Sequence, residues 1–262
     1  MRLIWGYAVN PKLAFRTWQR EVTLYKRIWP STILSTLLDP ILYLLALGFG
    51  LGAYLQQGFE GVSYLQFIAP GLVASSVMYA AAFEAAWNTY VRIFVERAYD
   101  GMLATPAELP DVVAGEYAWG ATRSFIYSIV MLVVLAAFGL LRSWWALLVP
   151  PVALLAGFMF MSIGMTYSVR AKAMDQLTFM FTLGVTPMFL FSGIFFPLSG
   201  LPAWIQQVAW FSPLYHLVEV VRALCLGRVD ALALGGHVLW MLVATLLFWS
   251  LPMVALRKKL RT

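Results

Sequence analysis

The sequence predicts an all-α polytopic membrane protein, and three observations carry that prediction. Of the 262 residues, 62% are hydrophobic and 11% charged, against roughly 45–50% and about 25% in a soluble domain. The apolar residues form continuous segments rather than the period-two alternation of a membrane barrel. Six of these segments approach the roughly 20 residues that a spanning helix needs. They run over 31–54, 66–91, 119–141, 144–169, 177–196 and 235–256. Six spans take about half the chain and leave only short loops, so residues 1–262 read as one transmembrane unit without a soluble catalytic or nucleotide-binding domain.

Residues 10–29 form an amphipathic element ahead of the first span. Phe15, Trp18, Val22, Tyr25 and Trp29 recur at spacings of three and four, one face of a helix. Lys12, Arg16 and Arg20 recur every four residues on another face, followed by Lys26 and Arg27. An aromatic face and a basic face suit the membrane–water interface; a helix packed on a soluble partner is the alternative. Pro30 is expected to end it. Within span one, Asp39 either caps a helix restarting at Pro40 or is a functional intramembrane acid. Gly48 and Gly52 form a G-x-x-x-G, which permits close helix approach.

Span two holds Glu84, with Asn88 one turn on, a polar stripe that should face the bundle interior. It also carries an aromatic row of Tyr79, Phe83, Trp87 and Tyr90. Such a row suits sugar rings or acyl chains, or packs against neighbouring helices and lipid. Residues 92–106 mix Phe94, Tyr99, Met102 and Leu103 with Glu96, Arg97 and Asp100. This predicts a short amphipathic helix broken near Thr105–Pro106, fitted either to a groove on a cytoplasmic partner or to the bilayer surface.

Between the last two expected spans, Pro197 is followed by Leu198–Phe211 and Leu214–Leu226, separated by Ser212–Pro213. Each piece is too short to cross about 30 Å of hydrocarbon. Pro202 suits a first helical position and Gly227 a C-cap, so 198–226 reads as two re-entrant half-helices. His216, Glu219 and Arg222 repeat every three residues on the second, as a surface ion pair or as guards of an exit gate.

Fifteen of the eighteen Lys and Arg residues fall before Ser31, within 92–123, within 170–172 and in the C-terminal tail. The positive-inside rule then places both termini in the cytoplasm. The net charge of +6 reports topology and lipid headgroups rather than a nucleic-acid partner. A single cysteine, Cys225, excludes an intrachain disulfide, and Met1–Trp29 shows neither the apolar core nor the cleavage site of a signal peptide. There is no G-x-x-x-x-G-K-[ST] and no zinc motif, so no cofactor is expected in this chain. Energy must come from an ion gradient, with Glu84 as carrier, or from a separate subunit. A lipid-modifying enzyme would need a cluster of His, Asp or Ser residues that the sequence does not assemble.

The chain resembles the type-2 ATP-binding-cassette (ABC-2) export permeases, in particular their nodulation-protein-J, lipo-oligosaccharide exporter branch. The resemblance runs over nearly the whole chain. It is carried by Asp39-Pro-Ile-Leu-Tyr-Leu, Tyr64-Leu-Gln-Phe-Ile-Ala-Pro-Gly-Leu, Phe83-Glu84, Met102-Leu-Ala-Thr and Gly115-Glu-Tyr-Ala-Trp. Most diagnostic are Phe191-Ser-Gly-Ile-Phe-Phe-Pro, Leu201-Pro, Ser212-Pro-Leu-Tyr-His and Arg222. The resemblance implies a bacterial inner-membrane permease paired with a second copy of itself and with two copies of an ATPase subunit that binds ATP and Mg. It implies an amphiphilic cargo moved outward: a glycolipid, a lipo-oligosaccharide or a drug. Residues 92–106 would be the coupling helix on the ATPase and 10–29 an interfacial gate helix. Phe195, Phe196, Pro197, Pro202, Pro213, His216, Glu219 and Arg222 would form the outer gate.

Overall fold

The computed structural model describes residues 2–3, 7–55, 58–59 and 61–259. Five of its helices are long and apolar enough to cross a membrane: Pro11–Gly50, Tyr64–Val95, Leu109–Ala137, Trp144–Arg170 and Ala231–Lys259. A two-residue strand pair, β1 (Arg2–Leu3) against β2 (Tyr7–Ala8), precedes them.

Helix α1 (Pro11–Leu45) starts at an Asn10 cap, whose side chain accepts from the Lys12 amide at 3.1 Å, and extends through a wide turn at Ala46–Gly50. It runs unbroken through Pro30 and Pro40, which corrects two expectations. The interfacial element and the first span are one helix, and Asp39, lying mid-helix, caps nothing. The physical reason is the cost of the alternative. Ending a helix orphans up to four N–H and four C=O groups, whereas an internal proline forfeits one bond. In a bilayer, Ser and Thr hydroxyls can serve neighbouring carbonyls. Here Ser31 and Thr32 donate to Ile28 O at 2.9 and 3.0 Å.

Helix α2 (Tyr64–Phe83) opens with a Ser63/Gln66 capping box and continues through wide turns at Glu84–Asn88 and Val91–Val95. It is the most buried of the five, and α1 the least. Arg97, left-handed at φ 49°, turns the chain into α3 (Ala98–Leu103). Helix α4 (Leu109–Ala137) begins ten residues before the expected span because Glu108 and Asp111 form a reciprocal cap. Asp111 also accepts from the Asn10 amide at 2.6 Å, pinning the start of α1 to the start of α4. Helix α5 (Val149–Arg170) follows a tight turn at Trp144–Leu148.

Close backbone approach joins these helices at two glycines. A Cβ on Gly115 of α4 would meet Ala14 O of α1 at 2.6 Å, and one on Gly157 of α5 would meet Ala121 Cα of α4 at 2.6 Å. In the G-x-x-x-G pair, Gly48 presses on the Leu65 side chain while Gly52 has only ordinary contacts.

The expected span 177–196 corresponds to α6 (Asp175–Phe179), a wide turn at Met180–Val185 and α7 (Thr186–Phe191). At 1.5 Å per residue this run is about 26 Å long, short of about 30 Å of hydrocarbon. Helix α8 (Ala203–Trp210) and helix α9 (Pro213–Leu226, closed by Gly227 at φ 75°) follow. Pro202 precedes the first residue of α8 instead of occupying it. The last described elements are α10 (Ala231–Trp249) and α11 (Leu251–Lys259).

Candidate functional site

Five charged side chains from three helices meet inside the bundle: Glu21 of α1, Glu84 and Arg92 of α2, and Glu116 and Arg123 of α4. None is more than 7% exposed. Arg92 is the hub. Its guanidinium pairs with Glu84 and lies 3.1 Å from carboxylate oxygens of both Glu21 and Glu116. Arg123 pairs with the other oxygen of Glu84 and donates to the Tyr127 hydroxyl at 3.3 Å. Asn88 donates to Glu84 at 2.7 Å and Thr89 to Glu116 at 3.0 Å, while Arg20 pairs with Glu21 at 2.6 Å. Three carboxylates thus face three guanidiniums. Buried ions survive only with such pairing, because the desolvation cost is several kcal/mol per ion.

The wide turns of α2 make this geometry. Each replaces i→i+4 bonding by i→i+5, so Glu84 and Arg92, eight residues apart, align as residues seven apart do in a regular helix. The sequence singled out Glu84 and Asn88 and missed Glu21, Arg92, Glu116 and Arg123 as members of one site. The available signal was Glu116 and Arg123, spaced by seven inside an apolar stretch, where ionisable residues mark function or pairing.

Beside the network lies a cavity of about 660 Å³. Ser31, Thr32, Ser35 and Asp39 give it a hydroxyl and acid wall on α1; Tyr79 and Phe83 give an aromatic wall on α2, with Asn88 and Arg123 between them. A second cavity of about 210 Å³ shares Ile28, Thr32, Asn88 and Arg123 and reaches Glu21, Glu84, Arg92 and Glu96. Of the aromatic row, Tyr79 and Phe83 line the larger cavity. Trp87 stacks on Phe83 at 5.4 Å and meets Phe181 at 5.0 Å. Tyr90 is buried with Ala171 and Leu177 in a cluster that Trp87 also packs against, and lies 4.9 Å from Phe94. The row therefore runs from the cavity at Tyr79 and Phe83 through Trp87 to a buried end at Tyr90. From the cavity, Tyr79, Phe189 and Phe195 form a chain of ring contacts at 5.7 and 5.0 Å toward the 198–226 segment.

Within 92–106, left-handed Arg97 starts the short helix α3, which ends at Leu103 in a turn over 104–106, next to the expected break at Thr105–Pro106. Val95, Glu96, Arg97 and Asp100 are exposed, Phe94, Met102 and Leu103 are half-buried, and Tyr99 is fully buried. Tyr99 therefore cannot belong to a docking face. Burial, and then the Glu116 carboxylate, push its phenol well above the ordinary value. The side chain anchors α3 beside the ion network.

In the 198–226 segment the structure sets His216 apart and keeps Glu219 and Arg222 as the expected ion pair. His216 faces α10: its Nδ1 meets His237 Nδ1 at 2.8 Å, its Nε2 meets Trp210 O at 2.7 Å, and its ring stacks on Trp240 at 4.2 Å. Arg222 faces α2, bonding Gly193 O and lying 4.1 Å above the Phe67 ring, while also pairing with half-exposed Glu219 at 2.9 Å. Phe195, Phe196, Pro197 and Pro213 are half-buried, and Pro202 is exposed. His237, well apart from His216 in sequence, was not foreseen as its partner.

The family model described as "ABC-2 type transporter" matches residues 13–226. The chain belongs to the ABC-2 type transporter family. It is 38% identical over 212 residues to Nodulation protein J of Rhizobium leguminosarum bv. viciae, covering 80% of this chain and 81% of that protein. To Nodulation protein J of Sinorhizobium fredii it is 35% identical over 244 residues, covering 93% and 90%. To the Inner membrane transport permease YadH of Escherichia coli it is 26% identical over 239 residues, covering 89% and 92%. An ABC-2 permease subunit of an exporter is thus what this chain is. The family match takes in α1 through α9, and so every member of the ion network and both α8 and α9.

Proposed function

We propose that two copies of this permease, with two copies of a separate ATPase subunit that binds ATP and Mg, export an amphiphilic cargo across the bacterial inner membrane. The cargo class is a glycolipid, a lipo-oligosaccharide or a chemically similar molecule. Both termini lie in the cytoplasm. The run 175–191 makes a sixth crossing, with the bilayer thinning to match its length, and 198–226 is re-entrant. Exposed Trp144, Trp145, Trp204 and Trp210 support that placement as an outer interfacial belt. An apolar row on α1, Leu34, Leu38 and Leu42, is exposed and would meet the second copy or lipid.

The observation that carries the mechanism is Arg92, held at once by α1, α2 and α4 close to the exposed α3 junction. Force delivered by the ATPase at Glu96, Arg97 and Asp100 passes through anchored Tyr99 and Arg92 to Glu21, and displaces α1 along the cavity wall. The cavity's mixed lining suits a sugar-bearing head, with an acyl tail toward lipid. Glu84, occupied by Arg92, Arg123 and Asn88, is a structural ion more than an ion carrier, which disfavours secondary transport.

Because Tyr99 is buried, the docking test belongs on the exposed residues. With the ATPase in nanodiscs, an Arg97→Glu/Asp100→Lys variant should lower permease-stimulated hydrolysis by about tenfold, roughly 1.4 kcal/mol of docking, at unchanged melting temperature. Stimulation equal to wild type removes the docking assignment.

A further inference from the structure

Lys259, the last described residue of α11, is exposed as a residue, yet its ammonium contacts groups from other elements. Nζ donates to Val169 O at 3.2 Å and to Ala171 O at 3.1 Å, and lies 4.0 Å from the centroid of the Phe94 ring. The two carbonyls end α5, where the last C=O groups of a helix lack intrahelical partners and carry the negative end of its dipole. The negative face of the ring adds a third attraction. A compact ammonium with three donors fits two carbonyls and a ring face. Phe94 is fixed in turn by Tyr90, 4.9 Å away. It occupies the last wide turn of α2, three residues before left-handed Arg97 redirects the chain into α3. One charge therefore ties the end of α11 and the end of α5 to the junction from which Glu96, Arg97 and Asp100 project.

We propose that Lys259 is a positioning residue for ATP-driven transport, setting through Phe94 the angle at which the α2–α3 junction is presented to the ATPase. This rests on the proposed docking role of that junction. Arg257, Lys258 and Lys259 are all exposed as residues; the Lys259 ammonium lies over the Phe94 ring. The C-terminal helix thus takes part in coupling although it lies beyond the residues that the family model matches.

Two readouts on the full chain test it. Hydrogen exchange of amides 95–103 is measured on the permease alone in nanodiscs, and stimulation of hydrolysis on the complex with its ATPase. Lys259→Met should speed exchange in that window by about tenfold, because local opening there loses a restraint. It should lower stimulation by about fivefold, and Lys259→Arg should keep most of both. If the residues act as one unit, the Lys259→Met/Phe94→Leu double variant should be no worse than Phe94→Leu. Unchanged exchange in Lys259→Met, or additive losses in the double variant, overturns the proposal. Faster exchange with wild-type stimulation also overturns the positioning role. If the Arg97→Glu/Asp100→Lys variant is equally silent, the failure lies instead with the docking reading, since the exchange measurement needs no ATPase.

Discussion

The ion network around Arg92 and the α8–α9 segment around His216 are held together by different means. Around Arg92, side chains as far apart in sequence as Glu21 and Arg123 are locked by paired charges with almost no exposure. Around His216 the contacts are the nearby Trp210 carbonyl, His237 and the Trp240 ring, and α8 buries only Ala209, whereas α9 packs into the core and pairs Arg222 with Glu219. Charges in a low-dielectric interior must move together or not at all, whereas rings and single hydrogen bonds can part at small cost. Regions that move in function are drawn from the weakly packed end of a structure. Under the proposed mechanism, transmission belongs to the first region and opening to α8, the loosely packed piece of the second.

The largest way to break this contrast is Arg92→Met. It leaves Glu21, Glu84 and Glu116 without their shared cation, and should cost about 3–5 kcal/mol, read as a large drop in thermal unfolding temperature in detergent. A loss below about 1 kcal/mol would mean that the cluster is solvated and not a hub. Next, His216→Ala strands Trp210 O and His237 and should cost about 1–3 kcal/mol. Combined with Arg92→Met it should add within about 0.5 kcal/mol, as distant sites do; strong coupling would erase the division between the regions. The smallest effect belongs to exposed Asp39. Asp39→Asn should alter stability by no more than about 0.5 kcal/mol, while changing transport if the α1 wall of the cavity touches cargo.

Much of this was legible because hydropathy and element length are local properties. The expected span 144–169 matches the observed apolar helix Trp144–Arg170 to a residue, and the two pieces after Pro197 appear as α8 and α9. What failed depended on the surroundings. Pro30 reads as a stop signal in water, but a helix in lipid gains more by continuing. Tyr99 belongs to an amphipathic pattern that does not say which face packs inward; proximity to Glu116 decides it. Wide turns at 84–88 and 91–95 carry no sequence mark, yet they bring Arg92 onto Glu84. Glu21, Glu116 and His237 became meaningful only when distant helices met.

The central claim is that Glu21, through Arg92, couples α1 to the junction that the ATPase engages. Spin labels at exposed Ile28 and Val95 in the nanodisc complex report the distance between these elements by pulsed electron resonance. The account predicts a distance change on trapping with ATP and vanadate in wild type, and its loss in Glu21→Gln while ATP hydrolysis continues. The same distance change in both proteins would contradict it.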